Sequence, residues 1–431
     1  MSDKTFLEET AAQAAPIDQI PLERPKTLSF RNTFTALRSR NYRLWFWGQM
    51  ISLLGTWMQS TAQGFLVFQL TQSPVYLGYV GFAYGIPTWI FMLYGGVIAD
   101  RVQRRNVLVI TQSTMMFFAV VLAVLTFTNV VLPWHIIVLA FCLGIANAFD
   151  APSRQAFVNE LVPRDDLTNA IALNATMFNT ATAIGPAVAG ITYALFGPAW
   201  CFTINAVSFI GVLTALMMMK IKNKKNKFHP ERSTFSDLKE GIRYAAHHKI
   251  IRTLILLVGI ISLFGISFGV LIPAWAVNIL HGDATTNGLL QSFRGIGALT
   301  SALLIASLGR FKFKGKLLTL GSFVFPAFLF IFSFMTWLPL SLLFLLAVGF
   351  SQILVNNLAN ALVQTLVHDD LRGRVMGVYT FVFFGLMPLG SLLMGSLAEY
   401  FSEPGAVIIG SIVTFAAAVI IYFSVPKLRT Q

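Results

Sequence analysis

The chain has 431 residues, of which 56% are apolar and only 11% charged, and its formal net charge is +13. A soluble domain carries about 25% charged residues, so this composition excludes a soluble enzyme or regulator built from two or three domains. The basic excess excludes little until its placement is known.

A helix needs about 20 apolar residues to cross the hydrocarbon core. Twelve such runs are read in chain order, near 43–69, 75–99, 107–128, 134–157, 168–195, 199–220, 252–279, 286–308, 316–336, 339–365, 374–398 and 404–424. Before them, residues 1–42 read as a cytoplasmic tail ending in a short interfacial helix, with Arg31, Arg38 and Arg40 set among Phe30, Phe34 and Leu37. Ser73-Pro74 reads as an N-cap and first helical residue opening the second run. The one long polar break, 221–250, holds Lys222, Lys224, Lys225, Lys227 and Arg232, and Ser233 to Asp237 open a short helix that reaches Ala246. It divides the chain into a six-helix half at 43–220 and another at 251–425, with a short cytoplasmic tail at 426–431. The expected fold is all-α and integral to the membrane.

Charge placement sets the orientation. The turns that fall on one side, 71–74, 129–133, 196–198, 280–285, 337–338 and 399–403, contain no Lys or Arg. Of 31 basic residues only Arg294 lies well inside a run; the others occupy tails, the opposite turns and helix ends. This is the positive-inside pattern, so both termini are expected in the cytoplasm of a bacterial inner membrane. The excess is then an orientation signal with some attraction for anionic lipid, and nucleic acid is not an expected partner. Cys142 and Cys201 sit in apolar runs and read as packing residues. Residues 1–28 contain no apolar segment of signal-peptide type.

The two halves resemble each other. At an offset of 210, Ile51-Ser52-Leu53-Leu54-Gly55 returns as Ile261-Ser262-Leu263-Phe264-Gly265, Gly78 meets Gly288, and Gly85 meets Gly295. At 205, Gly144 meets Gly349, Asp165 meets Asp370, Gly185 meets Gly390, and Gly190 meets Gly395. A parallel six-plus-six repeat is a transporter layout with substrate bound near midplane between the halves.

Three motifs then point to a family. Gly96-x-x-x-Asp100-Arg101-x-x-Arg104-Arg105, with Gln103 between, resembles the signature turn between helices two and three of the major facilitator superfamily, whose usual glycine Gln103 replaces. The equivalent second turn, Gly309 to Lys314, keeps positive charge without an acid. Ala181-x-x-x-Gly185-Pro186-x-x-Ala189-Gly190 is similar to the superfamily's exporter and antiporter motif, with a kink expected at Pro186. Asp150-Ala151-Pro152-Ser153-Arg154, with Asn41-Tyr42-Arg43 and Ser52 to Trp57, resembles the bacterial branch that includes the enterobactin exporter. The resemblance implies that Gly96, Asp100, Arg101, Arg104 and Asp150 form a conformational switch. Within it, Asp100 would meet the start of span eleven near Arg372-Gly373-Arg374, and Arg104 would pair with Asp150. The reading that these charges only set topology stays open.

The cavity candidates come from polarity at depth. Arg294 is a buried ionisable residue, so it either binds an anionic substrate group or snorkels to carbonyls. Gln352, Asn356, Asn360 and Gln364 form a four-residue stripe beside Asn357, a cavity wall or interhelical glue. Gln59 and Gln63 form a weaker stripe in the first span, and Tyr84 is the repeat mate of Arg294. No His/Cys/Asp/Glu cluster has metal-ligand spacing and no phosphate loop is present, so neither metal nor cofactor is expected. Protons are a candidate partner, for which Asp150 is the one carrier in view. The expectation is a secondary transporter exporting a small amphipathic molecule, a siderophore-like compound or drug. Import, a lysophospholipid-like substrate, a membrane enzyme and a sensor are the alternatives.

Overall fold

The computed structural model describes residues 34–220, 234–308 and 313–430. The tail read over 1–28, Lys222, Lys224, Lys225, Lys227 and Arg232 of the linker, and the turn at 309–312 lie outside the described residues. The chain divides into a short unit, Met1–Thr35, and a body, Ala36–Gln431.

Among the described residues the body is helical, with no strand. Its first six helices are α1 (Arg40–Thr71), α2 (Pro74–Arg101), α3 (Arg104–Phe127), α4 (Pro133–Leu161), α5 (Leu167–Phe196) and α6 (Pro198–Met218). A short α7 (Thr234–His247) follows in the linker. Then come α8 (Lys249–Ile260), α9 (Ala284–Leu308), α10 (Lys314–Phe332), α11 (Leu338–Leu366) and the 56-residue α12 (Asp369–Ser424). Among the described residues, nine helical segments are long and apolar enough to cross a bilayer by length and composition.

Two elements depart from the sequence expectation. In place of an interfacial helix, the described part of 29–43 is a 3-10 turn (Thr35–Arg38) leading directly into α1. The Ser39 hydroxyl donates to the Leu161 carbonyl at 2.7 Å and the Tyr42 hydroxyl to Ala170 at 2.8 Å, so the segment is tied to α4 and α5. The seventh run is not a uniform helix. After Ile260 it passes through a π segment (Ile261–Ile266), a 3-10 segment (Ser267–Leu271) and a second π segment (Trp275–Ile279). Pro273 cannot donate to the Gly269 carbonyl, and the Ser267 hydroxyl lies 2.7 Å from the Ser262 carbonyl, so the regular ladder is interrupted. The eleventh and twelfth runs, together labelled α12, are two helices that meet at Ser402, whose φ of 67° breaks the helical path just before Pro404, in line with two separate runs.

Helix α1 packs on α5 and α6, α2 on α4, and α3 on α4 and α6; α9 packs on α11, and α10 on α11 and α12. The two most extensive contacts between the early helices and the late ones are α2 with α12 and α5 with α9. Glycines make both possible. A Cβ on Gly395 would lie 2.9 Å from the Gly78 Cα, and one on Gly288 would lie 3.0 Å from the Gly190 Cα. These four glycines are repeat mates: Gly78 with Gly288, Gly190 with Gly395. The same holds deeper in the bundle. Gly144 presses on the Tyr84 carbonyl, and its mate Gly349 presses on the carbonyl of Arg294, the mate of Tyr84. Gly85 is covered by Pro388 and Gly295 by Thr182 and Ala183; offset 205 pairs Ala183 with Pro388.

The helix ends define two faces. One, here called the basic end, carries Arg101, Arg104, Lys249 and Arg372; the opposite end carries Ser73, Pro133, Pro198 and Glu399. The glycine contacts between α2 and α12 and between α5 and α9 lie toward the opposite end. Toward the basic end, a Cβ at Gly96, Gly373 or Gly377 would meet nothing within 4 Å among the described residues.

Candidate functional site

At the basic end α2 stops at Arg101 and α3 starts at Arg104, a turn of two residues. Two turns before it, Gly95 lets α2 sit on the Ala148 carbonyl of α4, where any Cβ would overlap. The glycine used for close approach is therefore Gly95, whereas Gly96 faces open space. Arg104 donates to Glu160 at 2.7 Å and lies 3.5 Å from Asp100, and its Nε reaches the Ala99 carbonyl at 3.2 Å. Arg105 donates to the Met217 carbonyl at 3.1 Å, meeting the last turn of α6 where positive charge is favoured. Arg101 is exposed at the end of α2. Arg372 bonds Asp369 and the Gln364 carbonyl, and Arg374 pairs with Glu240 of α7 at 2.6 Å.

The pairing of Arg104 with Asp150 does not occur here. Asp150 lies ten residues before Glu160 on α4, about 15 Å deeper along the axis. It is 2% exposed, and its Oδ1 accepts from Thr111 and Gln112 of α3, both at 2.9 Å. Its Oδ2 is 3.5 Å from Nε of Arg154, one turn along the same helix. Glu160 carried no motif in the sequence; its place in the last turn of α4 was the available signal.

In α5 the motif residues serve two neighbours. Gly185 packs on Trp57 and the Leu54 carbonyl of α1, and Gly190 on the first turn of α9. Pro186 leaves the Thr182 carbonyl without its helical donor. That carbonyl faces Gly295, where a Cβ would come within 2.5 Å. Helix α5 nevertheless runs unbroken from Leu167 to Phe196.

Between α5, α9 and α11, toward the basic end, opens a cavity of about 450 Å³. Asn179, Ala302, Ile353, Asn357 and Asn360 line it. The α11 stripe does not face it as a unit. Successive residues turn by about 100°, so Ile353, Asn357 and Asn360 reach the cavity while Gln352 and Asn356 point away. The Asn356 carbonyl accepts from Tyr379 of α12 at 3.2 Å, and the side-chain oxygens of Gln352 and Asn356 are buried without a protein partner. Gln59 is likewise not a cavity residue: its Oε1 accepts from Asn205 of α6 at 2.7 Å, a buried α1–α6 link. Gln63 is buried on α1 as well.

Arg294 lies ten residues into α9, about 15 Å from its start and so near midplane. Its guanidinium carbon sits 5.7 Å from the Phe268 ring centre, within cation–π range. It fits there because residue 269 is glycine; a Cβ would overlap Nη1. Among the described residues it has no ion pair. Arg294 is half-buried and its mate Tyr84 is exposed, and neither lines the cavity at Asn357. The structure thus places an arginine and a tyrosine at equivalent positions on α9 and α2, and draws the broken stretch of the seventh run against the arginine.

The sequence pattern of the transmembrane secretion effector family, a branch of the major facilitator superfamily, matches residues 31–431. The chain belongs to this family. It is therefore a multi-pass membrane transporter and not an enzyme. It is 26% identical over 390 residues to the staphyloferrin A transporter of Staphylococcus aureus, covering 90% of this chain and 97% of that one. Against the enterobactin exporter of Citrobacter koseri the identity is 24% over 363 residues, with 83% and 85% covered. For the multidrug efflux pump Tap of Mycolicibacterium fortuitum it is 25% over 345 residues, with 78% and 83% covered. Among solved structures, the nucleoside transporter NupG superposes with a TM-score of 0.69 at 13% identity, covering 89% of this chain and 98% of that one. A bacterial homologue of the lysosomal transporter Spinster, in an inward-facing and unoccupied conformation, gives 0.64 at 13% identity, with 93% and 97% covered. At these identities the structural likeness establishes the fold.

Proposed function

We propose that this transporter exports a small amphipathic anion, of siderophore-like chemistry, from the cytoplasm across the bacterial inner membrane by alternating access. The carrying observation is Arg294. A half-buried guanidinium near midplane, without an ion pair among the described residues, is costly unless a ligand or water completes it, and it selects negative charge. The names of the staphyloferrin A and enterobactin relatives support the same substrate chemistry, and the exporter relatives support the direction.

The proposed architecture is twelve crossings in two six-helix halves, with both termini cytoplasmic. Beyond the nine apolar segments, α1 and α5 have 32 and 30 residues, enough to span. The two helices of α12, meeting at Ser402, are each long enough to cross once. The matched glycine contacts support the two halves, and the basic end supports the orientation. Helices joined at the opposite end, with a cavity toward the basic end, correspond to an inward-facing state. Asp150, linked to α3 and to Arg154, is the proposed proton carrier.

The test is flux in proteoliposomes, using a citrate-based siderophore, a catecholate siderophore and a cationic dye, with and without an imposed proton gradient. Wild type is compared with Arg294→Ala and Asp100→Asn. The expected result is gradient-driven movement of the anionic probes, lost with Arg294→Ala and slowed with Asp100→Asn. Flux of the anions that survives Arg294→Ala, or movement of the dye alone, would overturn the substrate assignment.

A further inference from the structure

Helices α2 and α12 run antiparallel, and each ends in a carboxylate. Asp100 stands in the last turn of α2, and Glu399 stands in the last turn of α12 before the break at Ser402. A negative charge at the C-terminal end of its own helix is unfavourable, and the start of an antiparallel neighbour offsets it. At the opposite end this compensation is present. The Ser73 hydroxyl, at the N-cap of α2, makes no capping bond to its own helix and donates to Glu399 at 2.6 Å. The bond crosses from the loop before α2 to α12, beside the tightest part of the Gly78–Gly395 contact.

The contact keeps a strict register. Seven residues along α2, from Gly78 to Gly85, correspond to seven back along α12, from Gly395 to Pro388. Near the next turn Trp89 covers Gly385 and donates to the Phe381 carbonyl at 3.1 Å. Continuing the register by eleven residues from Gly85 and from Pro388 reaches Gly96 and Gly377; four more reach Asp100 and Gly373. From Gly78 to Gly96 is eighteen residues, about five full helical turns, so Gly96 lies on the same face of α2 as Gly78. Gly377 stands in the same relation to Gly395. Yet Gly96, Gly373 and Gly377 are glycines beside which nothing lies within 4 Å among the described residues. A glycine in a helix facing open space costs stability relative to alanine and brings no packing in this state.

We propose that Glu399, acting through Ser73, is the lock that holds the opposite end shut. Its release frees α2 and α12 to close at the basic end, where the family resemblance already places Asp100 over the start of α12, and the register continued from the opposite end brings Gly96 onto Gly377. This rests on the alternating-access reading. It assigns Glu399 and Ser73 as gate residues of the transport cycle and gives the three bare glycines a partner in the other state.

The test is cysteine cross-linking of the full-length protein in proteoliposomes, in a background with Cys142 and Cys201 replaced by alanine. Three pairs are compared: Ser73→Cys with Glu399→Cys, Gly96→Cys with Gly377→Cys, and the off-register pair Gly96→Cys with Gly373→Cys. Oxidation of the first pair is expected to arrest flux of the siderophore probe, reversibly on reduction. The second pair is expected to cross-link faster than the third, and about three- to ten-fold faster again when Glu399→Gln is added, the range for one partly exposed charge-assisted hydrogen bond. Cross-linking at Gly96 and Gly377 that ignores Glu399→Gln would overturn the lock. Equal rates for the second and third pairs would overturn the register. If the basic end never cross-links while flux continues, the alternating-access reading itself fails. The Glu399→Gln protein is judged folded by an unchanged size-exclusion profile and a cooperative unfolding transition, so no outcome is lost to misfolding.

Discussion

Arg104 reaches Glu160 at 2.7 Å, at the rim of the basic end, and the buried Asp150 is left to Arg154. The pair ties the start of α3 to the end of α4 with both side chains partly in water, so its contribution is about 1 kcal/mol or less. A double-mutant cycle on detergent-solubilised protein checks the assignment. Arg104→Gln and Glu160→Gln are expected to couple in thermal unfolding, whereas Arg104→Gln and Asp150→Asn should be additive. Coupling to Asp150 with none to Glu160 would refute the pairing.

Asp150→Asn keeps an acceptor for Thr111 and Gln112 but removes the negative charge beside Arg154. Folding is expected to survive with a loss of about 1–3 kcal/mol. The decisive reading is the proton dependence: flux down the substrate's own gradient continues while the response to an imposed pH difference disappears. A variant that keeps the full response shows that Asp150 is not the carrier.

Gly269→Ala probes the arginine's niche without touching its charge. The new Cβ occupies the position of Nη1, so the guanidinium must leave the Phe268 ring. Binding of the anionic probe should weaken at least several-fold, approaching the effect of Arg294→Ala, with a change in unfolding temperature of only a few degrees. Titration of intrinsic fluorescence with the citrate-based probe measures it; unchanged affinity would place the binding determinant elsewhere.

The repeat makes a paired stability prediction. Gly144→Ala and Gly349→Ala each push a methyl group into a carbonyl, of Tyr84 and of Arg294 respectively. Each should cost about 1–3 kcal/mol through backbone displacement, and by similar amounts. Gly96→Ala, which meets nothing in this state, should be neutral or slightly stabilising in the same unfolding assay.

Much of this protein was legible in its sequence because a bilayer allows few solutions. Apolar runs of crossing length, basic residues kept to one set of turns and glycines recurring at two offsets are one-dimensional records of solvent and symmetry, and α2, α9, Gly78 and Gly395 follow from them. The lone charge of Arg294 also needed no structure, since an arginine ten residues into an apolar helix has few other reasons to be there.

Tertiary structure decided what depends on helix rotation and on neighbours distant in sequence. Rotation by one residue separated Asn357, in the cavity, from Asn356, whose side-chain oxygen is buried away from it. Gln59 could not be known to be satisfied until α6 brought Asn205 to it, nor could Arg104 be matched to Glu160 until α4 set their depth. Ser73 read as a cap for its own helix and instead holds Glu399, because a hydroxyl donates to whichever strong acceptor packing brings near. Composition and periodicity determine which segments enter the membrane; azimuth and depth, which only packing sets, determine what each polar group meets there.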